Sequence, residues 1–281
     1  MRRLILWLSV LGCVAAQAEE RVVSGAGAIT ETVYAIGADK ALVGVDLSSV
    51  YPPEAAKLAQ VGYARQLSAE GILSVQPTIL LVSEDGGPAT VIEQIEKAGV
   101  KVVKLESAHT PDAAIERIRK VGAALSHAEE AEKVATELST DLAGVNKQLE
   151  GATQRPKVLF LMAHGGGTMN VAGRGTAAEA VIALAGGVNA VQDYDGYKPL
   201  TAEAAVAAAP DYILTTTRAI GGAGGVEGLL KLPGVDLTPA GKNAKVIVMD
   251  DLYLLGFGPR MGKATQELFT QLHPPAQTAQ K

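Results

Sequence analysis

The chain of 281 residues holds a single cysteine, Cys13, so it can form no disulfide within itself. Aromatic side chains make up only 4% of it. No apolar run reaches the roughly 18 residues that a membrane-spanning helix requires. Positive charge is not in excess: 25 basic against 30 acidic residues leave a net −5, which argues against a broad nucleic-acid surface. The G-x-S-x-G elbow of serine hydrolases is absent, and so is a complete dinucleotide fingerprint. What remains is an ordinary globular composition, 48% apolar and 20% charged, with 31 glycines. Many Ala, Gly and Val with few aromatics favour α/β layers joined by tight turns.

The N-terminus reads as a secretory signal over 1–18. Arg2 and Arg3 form a positive n-region, Leu4 to Val10 a short apolar h-region, and Ala16-Gln17-Ala18 an A-x-A cleavage site. Val10-Leu11-Gly12-Cys13 loosely matches a lipidation box, but the h-region before it would be very short, so cleavage after Ala18 is expected. Cys13 then leaves with the signal, and an exported chain without cysteine must rely on its core for stability.

Beyond Glu20 the pattern alternates. Strands are expected at 21–24, 41–45, 78–82 and 100–105, with helices at 31–36, 72–75 and 91–98 between them. Such βα spacing implies a largely parallel sheet. Thr110-Pro111 opens a long helical stretch. Within it Ser126 and Glu129 read as a capping box, followed by Val134, Leu138, Leu142, Val145 and Leu149 on one helical face. A helix over 126–150 would be roughly 37 Å long at about 1.5 Å per residue, the length of a strut between two lobes. Alternation then resumes, with strands at 158–162, 212–216 and 246–249 and helices at 176–185, 226–231 and 263–272. The expected organisation is an N-terminal lobe (19–125), a connecting helix (126–150) and a C-terminal lobe (151–281).

An internal repeat supports two like lobes. Leu67-Ser68-Ala69-Glu70 through Pro77-Thr78-Ile79-Leu80-Leu81 matches Leu200-Thr201-Ala202-Glu203 through Pro210-Asp211-Tyr212-Ile213-Leu214. The offset is constant and ungapped, from Leu67 against Leu200 to Leu81 against Leu214.

Four motifs carry candidate chemistry. Gly25-Ala26-Gly27, with Asp46 some way downstream, imitates a nucleotide-binding turn. Thr30 stands where the third glycine belongs, so a tight turn and helix start is the better reading. His164-Gly165-Gly166-Gly167 is like the oxyanion-hole segment of lipases, but without a seated serine there is no tetrahedral intermediate to stabilise. His164 follows a strand directly and belongs at the carboxyl edge of a sheet, where α/β ligands bind. Tyr63 lies just before Arg65, with only Ala64 between them. A phenolate oxygen suits Fe(III) and is a haem axial ligand type, and a guanidinium beside it favours the charged form. Arg218 follows the strand at 212–216 and is expected at the cleft; its repeat counterpart is Asp85.

These residues carry a resemblance. Val22-Val23-Ser24, Ile29-Thr30-Glu31, Ile36-Gly37-Ala38, Val43-Gly44-Val45-Asp46 and Tyr51-Pro52 are similar to the helical-backbone substrate-binding proteins of ABC importers, a group that takes iron siderophores, cobalamin and haem. Val61-Gly62-Tyr63-Ala64-Arg65-Gln66-Leu67-Ser68-Ala69-Glu70 resembles the periplasmic haem-binding branch. So do Ala163-His164-Gly165-Gly166-Gly167 and Ala172-Gly173-Arg174-Gly175-Thr176. The resemblance implies two Rossmann-like lobes on one long helix with the ligand cleft between them. It implies Tyr63 as axial ligand to haem iron, with Arg65 and Arg218 pairing with the phenolate or the propionates. His164 would be a second ligand or a contact for a second haem. Glu70 and Glu203 would dock the lobes on arginines of the permease. The function implied is capture of haem in the periplasm and delivery to an ABC permease and its ATPase, by a monomer that is not an enzyme. An outer-membrane haem receptor would stand upstream. The rivals are the same fold carrying a siderophore or cobalamin, and an exported hydrolase using His164.

Overall fold

The computed structural model describes residues 20–163 and 168–275. The signal segment, Cys13 and His164 lie outside the described residues.

The N-terminal lobe runs β1 (Val22–Ser24), α1 (Gly27–Ala35), β2 (Leu42–Val45), β3 (Ala59–Gln60), a small hairpin of β4 (Gly62–Tyr63) and β5 (Gln66–Leu67), α2 (Ala69–Ser74), β6 (Ile79–Ser83), α3 (Ala89–Lys97), β7 (Lys101–Leu105) and α4 (Pro111–Ala124). Its sheet has the order β3-β2-β1-β6-β7, and every pairing in it is parallel. Next comes α5 (Ala128–Leu149), the expected strut.

The C-terminal lobe runs β8 (Lys157–Ala163), β9 (Met169–Ala172), α6 (Ala177–Leu184), β10 (Val188–Asn189), β11 (Tyr197–Pro199), α7 (Ala202–Ala208), β12 (Tyr212–Thr216), α8 (Thr217–Gly222), α9 (Gly225–Leu230), α10 (Pro239–Lys242), β13 (Val246–Met249), α11 (Asp251–Leu255) and α12 (Met261–Leu272). Its sheet is β11-β9-β8-β12-β13 with β10 beside β8. Here β9 runs antiparallel to β8, and β11 antiparallel to β9. These two strands escape the sequence pattern because they are short and lack the alternation that marks a half-buried strand.

Both sheets are covered on two faces, as parallel strands require. Alternate residues of one strand enter different cores. Val22, Ile79 and Leu81 join one cluster, while Val23, Leu80 and Val82 join another. In the second lobe Val158 and Phe160 face one way, and Leu159 and Leu161 the other. The first of these clusters is continuous through both lobes, because Ala131, Ala135, Leu138, Leu142 and Val145 of α5 belong to it. A helix packed into a shared core leaves only small rearrangements for ligand capture.

The expected capping box at the start of the strut does not form. Ser126 adopts φ 59°, outside the extended region that an N-cap needs, and the cap position is His127, without a side-chain bond. The cause is the tight α4–α5 turn. His127 N donates to Gly122 O at 2.8 Å, and Gly122 packs so closely on Ala131 that a Cβ there would lie 2.2 Å from the Ala131 methyl.

The repeat is structural as well as sequential. Ser68 and Thr201 cap α2 and α7, each accepting a backbone N–H at 3.2 Å. Gln76 and Ala209, at equivalent places in the two copies, both take positive φ (48° and 41°) before the proline that leads into β6 or β12.

A second contact ties the lobes together beside the strut. Glu31 of α1, only 5% exposed, pairs with Arg260, just ahead of α12. The guanidinium lies over the Tyr51 ring at 3.5 Å and the Tyr253 ring at 4.9 Å. Burial pushes the Glu31 carboxyl above its ordinary range, and Arg260 only partly opposes this. The folded state therefore holds this proton more tightly than the unfolded chain does. Its contribution to stability is complete below the unfolded value of 4.5 and is lost as pH rises through the higher folded value. Urea unfolding should show that decline in the native protein, and Glu31→Gln should remove it. An identical pH profile in the variant would rule Glu31 out as its source.

Candidate functional site

The candidate residues lie on the β4–β5 hairpin after edge strand β3 in the N-terminal lobe and at the carboxyl end of β12 in the C-terminal lobe. In the N-terminal lobe the β4–β5 hairpin is too short to hold itself, and tertiary bonds position it. Leu47 N donates to Gly62 O at 2.9 Å, Gly87 N to Ala64 O at 3.0 Å, and Leu67 N to Gly87 O at 2.8 Å. Gly62 at φ 116°, with the Gln66 carbonyl 3.0 Å from where a Cβ would sit, is a position only glycine fits. The hairpin presents Tyr63, which is 42% exposed.

Arg65, on the same hairpin, reaches the loop after β6. Its Nη2 and Nε donate to Asp85 Oδ2 at 3.0 and 3.3 Å. The Asp85 bond raises the guanidinium pKa further, and the charge of Tyr63 acts in the same direction. Burial works to raise the Asp85 carboxyl, yet hydrogen bonds from Ser83 and Arg65 and the arginine's charge hold it below its ordinary value. Ser83 Oγ donates to Asp85 Oδ1 at 2.5 Å. Arg65 is thus an oriented cation two residues along the chain from an exposed phenol.

A small cleft of about 110 Å³ between the lobes reaches Asp85, the partner of Arg65, and is lined also by Ile29, Ser83, His109, Arg117 and Phe257 among others. Arg117 of α4 is buried and donates to the Glu106 carbonyl and, across the lobes, to that of Phe257. Burial lowers the His109 pKa; the charges of Arg117 and Arg65 add to this and Asp85 opposes it. A site for a drug-sized ligand spans roughly 300–1,000 Å³. At about 110 Å³ this cleft is smaller than that. The larger cavity, about 290 Å³ among Asp141, Tyr253, Lys263, Gln266, Glu267 and Thr270, lies against α5, α11 and α12, away from the strand ends.

Arg218 is the second residue of α8, at the carboxyl end of β12. Its backbone N donates to Asp251 Oδ2 at 3.1 Å, and its side chain is exposed. Among the described residues it makes no ion pair. The structure thus keeps Tyr63 and Arg65 on one hairpin and places Arg218 on the opposite lobe. Asp46, the acid of the nucleotide-like pattern, is fully buried and accepts from Ser48 N, Ser48 Oγ and Ser49 Oγ at 2.7–3.0 Å, a structural role. Gly27 begins α1, and a Cβ there would lie 2.6 Å from the Ser48 carbonyl, so this glycine serves close packing. Asp85 is visible in the sequence only as the repeat counterpart of Arg218. No motif marks His109 or Tyr197, and both escape a reading of the sequence alone.

Glu70 and Glu203 are exposed, each in the first turn of its helix. Among the described residues no helix is long and apolar enough to cross a membrane.

Two α/β lobes on one helix, with polar groups gathered at facing strand ends, define a protein that binds a ligand between lobes. The family model for periplasmic binding proteins matches residues 22–253, and the chain belongs to that family. Its members are substrate-binding proteins of transport systems, so the chain is a binding protein that serves an ABC transporter and is not an enzyme. Among solved structures it is similar to the periplasmic heme-binding protein RhuT from Roseiflexus sp. RS-1, with 42% identity, a TM-score of 0.86, and coverage of 90% of this chain and 97% of that one. It is also similar to the periplasmic heme-binding protein BhuT in complex with two hemes, with 39% identity, a TM-score of 0.85 and coverage of 90% and 97%. Among curated proteins it is 31% identical to the vitamin B12-binding protein of Pectobacterium carotovorum subsp. carotovorum (strain PC1), over 68% of this chain and 69% of that one.

Proposed function

We propose that this protein is exported by the signal segment Met1–Ala18, binds haem in the periplasm and delivers it to an ABC permease and its ATPase. The observation that carries the reading is the exposed Tyr63 phenol on the same hairpin as Arg65, whose guanidinium is oriented by Asp85 of the cleft lining. Tyr63 is the axial ligand to the ferric iron, since a hard phenolate oxygen matches Fe(III). Arg65 and Arg218 balance the phenolate and the propionates from the two lobes. Glu70 and Glu203 are the permease contacts. The similarity to haem-binding structures over nearly their whole length supports haem over the other tetrapyrrole.

The test is a spectrophotometric titration with hemin, and a parallel one with cyanocobalamin. Saturable hemin binding with a phenolate charge-transfer band is expected. Tight cyanocobalamin binding without a hemin complex would transfer the protein to the cobalamin reading, which the vitamin B12-binding relatives favour.

His164 is assigned to the far side of the cleft, as a second ligand or as the contact for a second haem. His164→Ala should change the spin state or the stoichiometry while one haem stays bound. A single five-coordinate haem in both native protein and variant would make it a loop residue.

A further inference from the structure

The internal repeat extends one step further than the helices. Gly62-Tyr63 precedes Leu67-Ser68-Ala69-Glu70, and Gly196-Tyr197 precedes Leu200-Thr201-Ala202-Glu203, with one residue fewer in between. Each tyrosine lies on a short strand just before a helix capped by Ser or Thr. Both are left exposed, Tyr63 at 42% and Tyr197 at 37%. They also share a neighbour across the lobes: the charges of both phenols act on the Arg65 guanidinium.

The surroundings of Tyr197 say which part of it is presented. Burial is the main influence on its hydroxyl and raises its pKa, against a hydrogen bond with Thr176 and the charge of Arg65. Thr176 is itself buried and caps α6, so it is a fixed anchor. Tyr197 is thus anchored at Thr176 while 37% of its surface stays open. Strand alternation sends the adjacent Lys198 to the other face, where its ammonium sits 4.4 Å from the centre of the Tyr194 ring. Tyr197 therefore presents an anchored aromatic side chain on the C-terminal lobe, within electrostatic reach of the Arg65 that follows Tyr63 in the chain.

Resting on the haem reading, we propose that Tyr197 is a specificity-determining residue that packs its ring on a flat tetrapyrrole from the lobe opposite Tyr63. Aromatic rings gain from offset stacking on a planar π-system. A corrin with axial groups on both faces cannot bring its ring plane against such a wall. Tyr63 supplies the bond to iron; Tyr197 supplies contact that does not depend on the metal.

Metal-free protoporphyrin IX separates these roles, because it offers no iron to Tyr63. Tyr197→Ala should weaken both hemin and protoporphyrin IX by about tenfold, and Tyr197→Phe should hold both within about twofold of the native protein. Far-ultraviolet circular dichroism should be unchanged in both variants, which separates a lost contact from a lost fold. Native affinity for protoporphyrin IX in Tyr197→Ala would overturn the proposal. So would a loss in Tyr197→Phe equal to that in Tyr197→Ala, since the hydroxyl would then be the contact. Hemin binding by the native protein without any protoporphyrin IX binding would overturn it too, as affinity would then rest on iron alone. Failure of the native protein to bind either porphyrin would instead remove the haem reading on which this one stands.

Discussion

Tyr63→Ala should abolish the phenolate charge-transfer band of the ferric complex and weaken hemin binding by at least a hundredfold. The expectation follows from what the residue can offer and from what surrounds it. The phenol oxygen is a hard donor that matches Fe(III), and Arg65, held by two hydrogen bonds to Asp85, is an oriented cation two residues away. A hundredfold loss corresponds to about 2.7 kcal/mol, modest for removing a metal–oxygen bond whose place water can take. The hairpin itself should survive, because its positioning bonds run between backbone groups of Leu47, Gly62, Ala64, Leu67 and Gly87. Tyr51→Phe is the control. Tyr51 is also exposed, but its ring is engaged by Arg260. An unchanged spectrum and affinity in Tyr63→Ala would remove it from the iron.

The double variant Glu70→Arg with Glu203→Arg should bind hemin normally yet fail to stimulate ATP hydrolysis by its transporter in liposomes. A two-lobed protein that sits on a two-fold symmetric permease needs one matching contact per lobe. Glu70 and Glu203 occupy the same place in two like lobes, in the first turns of helices capped by Ser68 and Thr201. Exposed ion pairs contribute about 0.2–1 kcal/mol each, so either single Glu→Ala change should show little. Reversing both charges adds repulsion to the lost attraction at two sites at once. A purely local role for these acids, favourable interaction with the helix N-terminus, predicts a small loss of stability and nothing at the transporter. Full stimulation by the double variant at moderate salt would take both glutamates off the docking surface.

Much of this fold was legible in linear order. The strands at 212–216 and 246–249 lie where their apolar runs end, because a buried parallel strand is a short hydrophobic run closed by turn residues. The strut showed in the spacing of Leu138, Leu142 and Val145, all buried on one face of α5. The ungapped repeat, Leu67 onward against Leu200 onward, announced two lobes before any contact was known. The start of the strut misled, since Ser126 has the composition of a cap but sits in a turn whose geometry is set by Gly122 against Ala131. That closeness comes from how two helices meet, and no local pattern records it.

The site divides in the same way. The sequence by itself determined Tyr63 and Arg65 as neighbours in a loop ahead of a capped helix, because local chemistry is written in local spacing. It also determined the matched positions of Glu70 and Glu203, through the repeat. Only the tertiary structure decided that Asp85, well beyond the hairpin in the chain, orients Arg65, and that Tyr197 of the other lobe comes within electrostatic reach of the same guanidinium. It alone decided that Glu31 and Arg260, at opposite ends of the chain, close the seam between the lobes. The physical reason is that an ion pair or a shared neighbour is indifferent to sequence separation once the core has brought two strand ends together. Its partners therefore leave no periodic trace in the chain, and packing alone selects them.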